Sequence, residues 1–285
     1  MIEQLIETIV ILSSIAFLLF LIPGNHQKYV ASAGWIGTET VLLLMFPNFL
    51  EDGNLIYPTI AILVLPCIYI TVKRLAKNDY YVQRLTYAAS IAYLIYAPFA
   101  FIPILGNWLI SEVVNLVSIV LTTIKTPYSL ATWNVFMGER LPGNEFGFQV
   151  EVILGCTGIQ AISILLGVVS IISSTWKKKV ALFFVVTIPI FIMNIFRNVY
   201  VITAYTQQWY PWFQEWFPKP EMYGYASFFW AHNVFCEFFA FIVVISIFYL
   251  LFKQNPIMLT TLHEIIKVYY DEIIELYNRI CHKNQ

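Results

Sequence analysis

The sequence predicts an all-α integral membrane protein: a multi-spanning bundle of seven to eight transmembrane helices, followed by a cytoplasmic C-terminal amphipathic helix. Of the 285 residues, 59% are hydrophobic and only 12% are charged, which is about half the charged share of a soluble domain. The apolar residues form runs long enough to cross a bilayer, and the basic residues cluster between particular runs. The formal net charge of −1 gives no indication of a nucleic-acid partner.

A bilayer-spanning helix needs about 20 mostly apolar residues. Segment 30–46 is the weakest candidate because it contains Glu39 and glycines. Segment 108–124 is long enough to be an eighth span, but it contains Glu112 and Asn115. The seven predicted spans lie at approximately residues 5–22, 30–46, 55–72, 85–105, 152–173, 180–202 and 231–252.

The distribution of basic residues predicts the orientation. They cluster between the third and fourth spans, after the 152–173 span and after the last span. The positive-inside rule places these clusters in the cytoplasm and the N-terminus outside. An even number of crossings must then separate Arg84 from Lys177, and the spans at 85–105 and 152–173 supply two. We therefore expect 108–124 to lie in the outer interface or to be re-entrant, which leaves 12 of the 16 basic residues inside.

Two regions outside the spans are distinctive. Residues 205–230 form an external loop that is rich in Trp, Tyr and Phe, which is typical of an aromatic belt at the level of the headgroups. A semi-rigid cap over a substrate groove is a second interpretation, and the two are compatible. The chain is thus expected to divide into a polytopic transmembrane domain at 1–254 and a cytoplasmic helical tail at 255–285.

The tail has apolar residues at alternating steps of three and four, which is a heptad spacing. The favoured interpretation is an amphipathic helix that lies on the membrane or on the protein's own loops. Dimerisation through a short coiled coil, giving a homo-oligomer, is the alternative. The predicted seam consists of Leu259, Leu262, Ile266, Tyr269, Ile273, Leu276 and Ile280.

Ionisable side chains inside apolar spans are costly, so they are candidates for function. Glu39, Arg197, His232 and Glu237 belong to this class, and Cys156 adds a thiol. In the predicted topology, three consecutive spans bring Cys156, Arg197 and His232 to the same depth, near the outer surface. Glu237 lies deeper and is expected to be a structural partner for Asn194, Arg197 or a hydroxyl group on a neighbouring helix.

These three side chains have a clear combined use. A neighbouring cation or imidazole lowers the pKa of a thiol and so activates it as a nucleophile. A histidine serves as general base and then protonates the leaving amine, while an arginine stabilises the thiolate or an oxyanion. Simpler interpretations stay open at this point: Cys156 as a small hydrophobe, Arg197 reaching for headgroups, and His232 as an interfacial residue. His232 and Cys236 have a metal-ligand spacing but no second pair nearby, so no metal or cofactor is expected.

Three short strings carry a family resemblance. Leu-Gly-Cys-Thr-Gly-Ile-Gln (154–160) opens one span, Asn-Ile-Phe-Arg-Asn (194–198) ends the next, and Ala-His-Asn (231–233) opens the last. In this order and spacing they resemble the exosortase/archaeosortase family. The Cys-Thr-Gly-Ile-Gln form is most similar to its archaeosortase A branch.

The resemblance implies a membrane-embedded cysteine transpeptidase. Such enzymes process exported proteins, among them S-layer glycoproteins, that carry a C-terminal sorting signal made of a short Pro-Gly-Phe-type motif, a hydrophobic span and a basic cluster. The processed protein passes through a thioester to a membrane lipid. By the same resemblance Cys156 is the nucleophile, Arg197 the thiolate or oxyanion stabiliser and His232 the acid/base.

A different class is the runner-up: a polytopic transporter or lipid-handling protein whose polar pathway is lined by Arg197, His232 and Glu237. Such a protein typically has an inverted repeat and a polar site near the midplane, and neither is visible in the sequence.

Overall fold

A computed structural model of the chain describes residues 2–51, 56–139, 147–171, 175–217 and 223–282. The described part is almost entirely helical, with one small antiparallel sheet. The helices are α1 (Ile2–Phe20), α2 (Gln27–Leu44), α3 (Phe46–Glu51), α4 (Ile56–Ala76), α5 (Tyr80–Phe101), α6 (Pro103–Thr123), α7 (Ile159–Ser170), α8 (Trp176–Thr206), α9 (Tyr225–Phe228), α10 (Glu237–Gln254) and α11 (Pro256–His282). The strands are β1 (Ser129–Thr132), β2 (Val135–Met137) and β3 (Gln149–Glu151).

The all-α membrane class is confirmed. Among the described residues, five helices are long and apolar enough to cross a bilayer. Many large apolar side chains on them, such as Leu63, Ile104 and Phe238, point away from the protein, as lipid-facing side chains do. The predicted spans at 30–46 and 85–105 coincide with α2 and α5. The five helices are Ile2–Phe20, Tyr57–Ala76, Pro103–Thr123, Trp176–Thr206 and Tyr225–Gln254.

The span predicted at 152–173 is not α-helical over its first seven residues, 152–158. The chain forms strand β3 up to Glu151, then a 3-10 turn at Leu154–Thr157, and α7 begins only at Ile159. At 12 residues α7 is the shortest of the strongly apolar helices described. The apolar run is continuous across this boundary, so hydropathy alone does not reveal it.

Helix α6 is the segment expected in the outer interface or re-entrant. It is one continuous helix of 21 residues and is itself long and apolar enough to cross. Glu112 and Asn115, which argued against a span, are not buried. The opposite face of α6 packs with Val199 and Ile202 of α8, so α6 belongs to the packed bundle. Its position relative to the bilayer stays a prediction.

The residues group into two compact units, each assembled from several segments. Unit 1 comprises Met1–Ile95, Ile164–Lys179 and Phe252–Gln285, and unit 2 comprises Tyr96–Ser163 and Val180–Leu251.

Unit 1 has a core where five helices meet. Phe20 of α1, Ala31 of α2, Leu75 of α4 and Val82 of α5 are buried together, and Val268 of α11 packs against them. The ends of helices that carry the basic residues after α4 therefore gather at one end of this unit, and the tail helix lies there too. The cytoplasmic location of this end stays a prediction from charge.

The tail docks through a face that shares Tyr269 with the predicted heptad seam but otherwise differs from it. Tyr269 hydrogen-bonds with Thr71 of α4 at 2.6 Å. Glu272, only 4% exposed, forms ion pairs with Lys73 at 2.5 Å and Arg74 at 2.8 Å. These contacts rotate the helix so that most of the seam is exposed, namely Leu259, Leu262, Ile266 and Ile273. The ion pairs of Glu272 with Lys73 and Arg74 fix which face of the tail helix is buried. The spacing of apolar residues carries no information about these ion pairs.

The Glu272 ion pairs make tail docking sensitive to charge. Burial by itself raises the pKa of Glu272, but Lys73, Arg74 and Lys77 together hold it below its usual value. A lowered folded pKa stabilises docking above the unfolded pKa, about 4.3, and this contribution is lost as the pH falls through the folded pKa.

We expect Glu272→Gln to weaken docking by about 2–3 kcal/mol, because two cations lose their buried partner. Hydrogen exchange across 260–276 at neutral pH measures this as faster exchange. Asp271→Asn is the matched control, since Asp271 is exposed. Equal exchange in the two variants would contradict the assigned role of Glu272.

Unit 2 contains the sheet and a core formed largely by α6 and α8. The strand order is β1-β2-β3, with Phe136 of β2 opposite Val150 of β3. Asn134 secures the start of the segment after β3, because its side-chain nitrogen donates to the carbonyl of Val152 at 3.1 Å. The core comprises Ile110, Val113, Val114, Val117, Leu121, Phe136, Val152, Ile195, Val199 and Ile202. Strand β3 thus delivers the following turn to α8 from a fixed position.

Candidate active site

Cys156 lies on the 3-10 turn between β3 and α7. Its backbone N–H donates to the carbonyl of Ile153 at 2.8 Å, and the Thr157 hydroxyl donates to the carbonyl of Leu154 at 2.7 Å. Gly158 ends the turn with φ +79°, a left-handed conformation that favours glycine. The thiol therefore sits on a short turn held by local hydrogen bonds, and its side chain is half-buried.

The two glycines that flank the thiol differ in their surroundings. A Cβ on Gly158 would lie 3.2 Å from the Cβ of Asn194, so Gly158 allows the turn to approach α8 closely. A Cβ on Gly155 would meet its nearest atom only at 4.0 Å. Space for a substrate backbone is therefore available at Gly155, whereas the space beside Gly158 is already filled by the protein.

Two amides of α8 hold the Cys156 turn. The Asn194 side-chain nitrogen donates to the carbonyl of Cys156 at 2.5 Å, and that of Asn198 donates to the same carbonyl at 2.8 Å. Asn198 also donates to the carbonyl of Asn194 at 3.0 Å. Residues 194 and 198 are one helical turn apart and so share a face, and both are buried. This face fixes the backbone of Cys156 rather than its sulfur.

Arg197 and His232 are in direct contact. The Arg197 Nη2 lies 2.8 Å from the His232 Nε2, and the His232 Nδ1 lies 2.7 Å from the Asn233 Oδ1. A guanidinium always carries its protons, so Arg197 donates and Nε2 accepts. We therefore assign the neutral tautomer in which Nδ1–H donates to Asn233. Phe228 stacks on the imidazole with ring centroids 4.9 Å apart, which fixes the ring plane.

The segment that carries His232 is a π-helix over Phe229–Cys236, inside the continuous helix Tyr225–Gln254. Short π-helical stretches are rare and often occur at functional sites. The predicted span at 231–252 thus begins earlier than expected and is not regular α-helix at its outer end.

A cavity of about 610 Å³ adjoins this group of side chains. Gly155 and Gly158 line it, whereas Cys156 and His232 are not among the described residues of its wall. The polar part of the wall consists of Gln160, Asn194, Arg197, Cys236, Glu237 and two tyrosines. The remaining wall is apolar, with Phe196, Met193, Phe238, Phe239 and Val244 among its residues. Such a lining suits a mostly apolar ligand with a few polar groups.

The aromatic loop contributes to this cavity. Tyr210 lines it together with Tyr200, and their hydroxyls are hydrogen-bonded at 2.8 Å. Tyr210 also packs against Phe235 with ring centroids 5.1 Å apart. Within the described residues, the start of the loop therefore forms part of the cavity wall. This supports the interpretation of the loop as a cap and is also compatible with an aromatic belt.

The other predicted polar residues fall into two groups. Glu237 lines the cavity with Arg197, although no carboxylate of the described residues lies within 4.0 Å of that arginine. Glu39 lies in unit 1, is 4% exposed, and has no hydrogen-bond partner for either carboxylate oxygen in the described part of the chain. In the same residues no three His, Cys, Asp or Glu side chains form a metal-binding group.

Sequence reasoning missed the positioning residues Asn194, Asn198 and Asn233. Asn194 and Asn198 were within the quoted string 194–198, and their spacing of four residues was a usable signal. Buried amides in an apolar helix need partners, so their presence already indicated a polar contact on that face. Asn233 is adjacent to His232 and gave no comparable signal.

We expect Asn194→Ala combined with Asn198→Ala to loosen the Cys156 turn, because its carbonyl loses both donors. Each bond contributes about 1 kcal/mol, so the turn should lose about 2 kcal/mol. The rate at which a small alkylating reagent modifies Cys156 measures the change. Asn115→Ala is the matched control, since Asn115 is exposed on α6. An unchanged rate in the double variant would show that the two asparagine side chains do not hold the Cys156 turn.

Comparison with known proteins identifies relatives of the chain. The family model described as transmembrane exosortase matches residues 5–236, a range that includes Cys156, Arg197 and His232. An archaeosortase A from Natronomonas pharaonis is 23% identical over 261 residues, covering 85% of this chain and 80% of the relative. No solved structure matches the chain. The resemblance found in the three sequence strings is thereby confirmed, and the chain belongs to the transmembrane exosortase family.

Proposed function

We propose that the protein is a membrane-embedded cysteine transpeptidase that cleaves C-terminal sorting signals of exported proteins. Family membership supports a membrane transpeptidase that acts on sorting signals. The observation that carries the finer proposal is the 2.8 Å contact between Arg197 and His232. Arg197 immediately precedes Asn198, whose amide, with that of Asn194, holds the Cys156 turn.

Cys156 is the nucleophile in this proposal. Its thiolate attacks the scissile carbonyl of the substrate and forms a tetrahedral intermediate, which collapses to a thioester as the amine leaves. Gly155, with open space around it, allows the substrate backbone to approach. An amine or hydroxyl then attacks the thioester and releases Cys156, and a lipid headgroup is the acceptor we propose.

Arg197 stabilises the thiolate and then the oxyanion. A guanidinium has five donors, and the contact with His232 uses only one of its nitrogens. Cys236 also hydrogen-bonds Arg197. The N–H groups that His232 and Cys236 leave available are the donors that act, in the cavity lined by Arg197, as a planar fork for an oxygen anion.

His232 is the acid/base. In the resting arrangement its Nε2 accepts from Arg197, so it keeps the guanidinium in position. When substrate binding draws the Arg197 N–H towards the scissile carbonyl, Nε2 becomes available to take the thiol proton. The thiolate then attacks, Arg197 stabilises the oxyanion, and His232 gives the proton to the leaving amine. Asn233 holds the opposite nitrogen and preserves the ring orientation throughout.

The apolar wall of the cavity suits the hydrophobic span of a sorting signal. Phe196, Phe238 and Phe239 line the cavity and are also exposed on the lipid-facing surface, so a substrate helix enters from the bilayer. Met193 and Val244 extend the wall along α8 and α10. We propose that the motif, of Pro-Gly-Phe type as in S-layer glycoproteins, meets Cys156 near the extracytoplasmic face, while the basic cluster stays cytoplasmic.

No observation favours the alternative of a transporter or lipid-handling protein. Its proposed pathway requires Arg197, His232 and Glu237 to line one polar route. Arg197 and Glu237 line the cavity, but most of the cavity wall is apolar, and His232 is engaged with Arg197 and Asn233.

Intact-mass analysis of a substrate tests the proposed function. A tagged exported protein with a C-terminal sorting signal is produced with the enzyme, without it, and with a Cys156→Ala variant. Active enzyme should give a product that lacks the C-terminal span and has gained the mass of an acceptor. A product that lacks the span and has gained only water would show that the enzyme is a protease and not a transpeptidase. An unchanged substrate mass with active enzyme would overturn the proposal.

A further inference from the structure

Unit 1 contains a second cavity, of about 520 Å³, at one end of its helices. Its lining combines two cations, Arg84 and Lys179, with the amides of Gln27 and Gln83. Phe20 is part of the apolar wall and also part of the buried core with Leu75 and Val82. The cavity therefore lies at the end of unit 1 that carries the basic residues after α4.

Neither cation has a carboxylate partner among the residues that the structure describes. The Arg84 Nη1 donates to the carbonyl of Ile171 at 3.1 Å, and its guanidinium lies 4.9 Å from the centre of the Tyr80 ring. No carboxylate in the described ranges lies within 4.0 Å of Arg84 or Lys179. By contrast, Lys73 and Arg74 at the same end share the carboxylate of Glu272.

The contacts of Arg84 hold its guanidinium at the wall of the cavity. One nitrogen is committed to Ile171 and the plane is supported by Tyr80, so the other N–H groups remain for a ligand. Lys179 is exposed and adds a second positive charge on the same cavity. A fixed guanidinium fork beside a mobile ammonium is a typical arrangement for binding phosphate oxygens.

We propose that this cavity binds an anionic phosphate group, as the headgroup of a phospholipid or as a soluble phosphate compound. The phosphate contacts Arg84 and Lys179, and the apolar wall at Phe20 and Leu21 accommodates the adjoining glycerol and acyl carbons when the ligand is a lipid. Basic cavities between membrane helices on the cytoplasmic side recognise anionic headgroups in this way. The volume is sufficient for a headgroup with its glycerol.

Native mass spectrometry of the purified, delipidated full chain in neutral detergent tests the proposal. The protein is titrated with phosphatidylglycerol and with phosphatidylcholine of the same acyl chains. We expect phosphatidylglycerol to bind more tightly, and Arg84→Gln combined with Lys179→Gln to weaken it roughly 25-fold, since each cation contributes a factor of about five. Lys177→Gln removes a neighbouring charge that does not line the cavity and should leave the affinity unchanged.

A second arm distinguishes the two sources of phosphate. If excess inorganic phosphate displaces phosphatidylglycerol, the cavity accepts soluble phosphate compounds as well. If it does not, the ligand is a lipid.

Two outcomes would overturn the proposal. One is equal affinity for the two lipids, and the other is equal behaviour of the double variant and Lys177→Gln. Lys179→Gln alone changes an exposed side chain and should weaken binding about fivefold, so the test remains decisive even if loss of the Arg84 bond to Ile171 disturbs folding.

Discussion

Cys156→Ala should abolish processing of a sorting-signal substrate, reducing the rate by at least about 10³-fold, while the protein still accumulates in the membrane. Alanine removes the only atom able to form the thioester and leaves the backbone bonds from Asn194 and Asn198 intact. Cys156→Ser should fail almost as completely, because a hydroxyl is not deprotonated by the same surroundings. The conversion of substrate to shortened product, followed by gel mobility and intact mass, measures both effects.

Cys236→Ala is the matched control for the thiol. Cys236 is buried, lines the cavity with Arg197 and lies four residues after His232, so it is a second thiol near the proposed site without being the proposed nucleophile. Its replacement should leave the rate within a few-fold of the unmodified enzyme. Normal processing by Cys156→Ala, or loss of processing by Cys236→Ala alone, would refute the assignment of Cys156.

Arg197→Lys should reduce the rate of processing by about 10²-fold, the typical effect of removing an oxyanion donor. Lysine keeps the positive charge but presents a compact ammonium instead of a planar fork. It then has to choose between the Nε2 of His232, now 2.8 Å from the guanidinium, and the substrate oxygen. Single-turnover kinetics with a fixed substrate separates this loss in the chemical step from a loss of binding.

Arg279→Lys makes the identical change in the tail helix α11, which belongs to unit 1, and serves as the control. It should leave processing unchanged. If Arg197→Lys processed substrate at the normal rate, the guanidinium geometry would be irrelevant and the proposed stabilisation of the oxyanion would fail.

The membrane class and the proximity of Arg197 to His232 could be predicted because both follow from where apolar and charged residues fall along the chain. Alternating spans bring residues at successive outer ends to one depth, and the structure indeed has Arg197 hydrogen-bonded to His232. Depth does not determine rotation about a helix axis. For that reason the contacts of Asn194 and Asn198 with the Cys156 carbonyl were not foreseen. The catalytic roles of the three residues stay predictions.

The start of the segment at 152 was predicted incorrectly for a different reason. Strand β3 exists because it pairs with β2, where Val135 lies opposite Glu151, and a partner 16 residues earlier in the chain does not appear in local hydropathy. Gly158 then ends the turn in a left-handed conformation. Long-range pairing thus overrode a local preference for helix.

The tail shows the same limit in another form. Its apolar spacing described a seam through Leu262 and Ile266, but Glu272 is drawn to Lys73 and Arg74 and turns those residues outward. The helical state of the tail was predictable from its periodicity. The face it presents was not, because that face depends on charges in α4.

The π-helix at Phe229–Cys236 has a consequence for comparing this chain with its relatives. A π-helical stretch bonds each residue to one five positions away instead of four, so it accommodates an additional residue without lengthening the helix in proportion. A relative in which this segment is regular α-helix should therefore align with a one-residue gap between Phe229 and Glu237. An alignment without this gap would misplace the counterpart of either His232 or Glu237 by one position. Residues that occupy equivalent positions in the two structures would then not be aligned with each other.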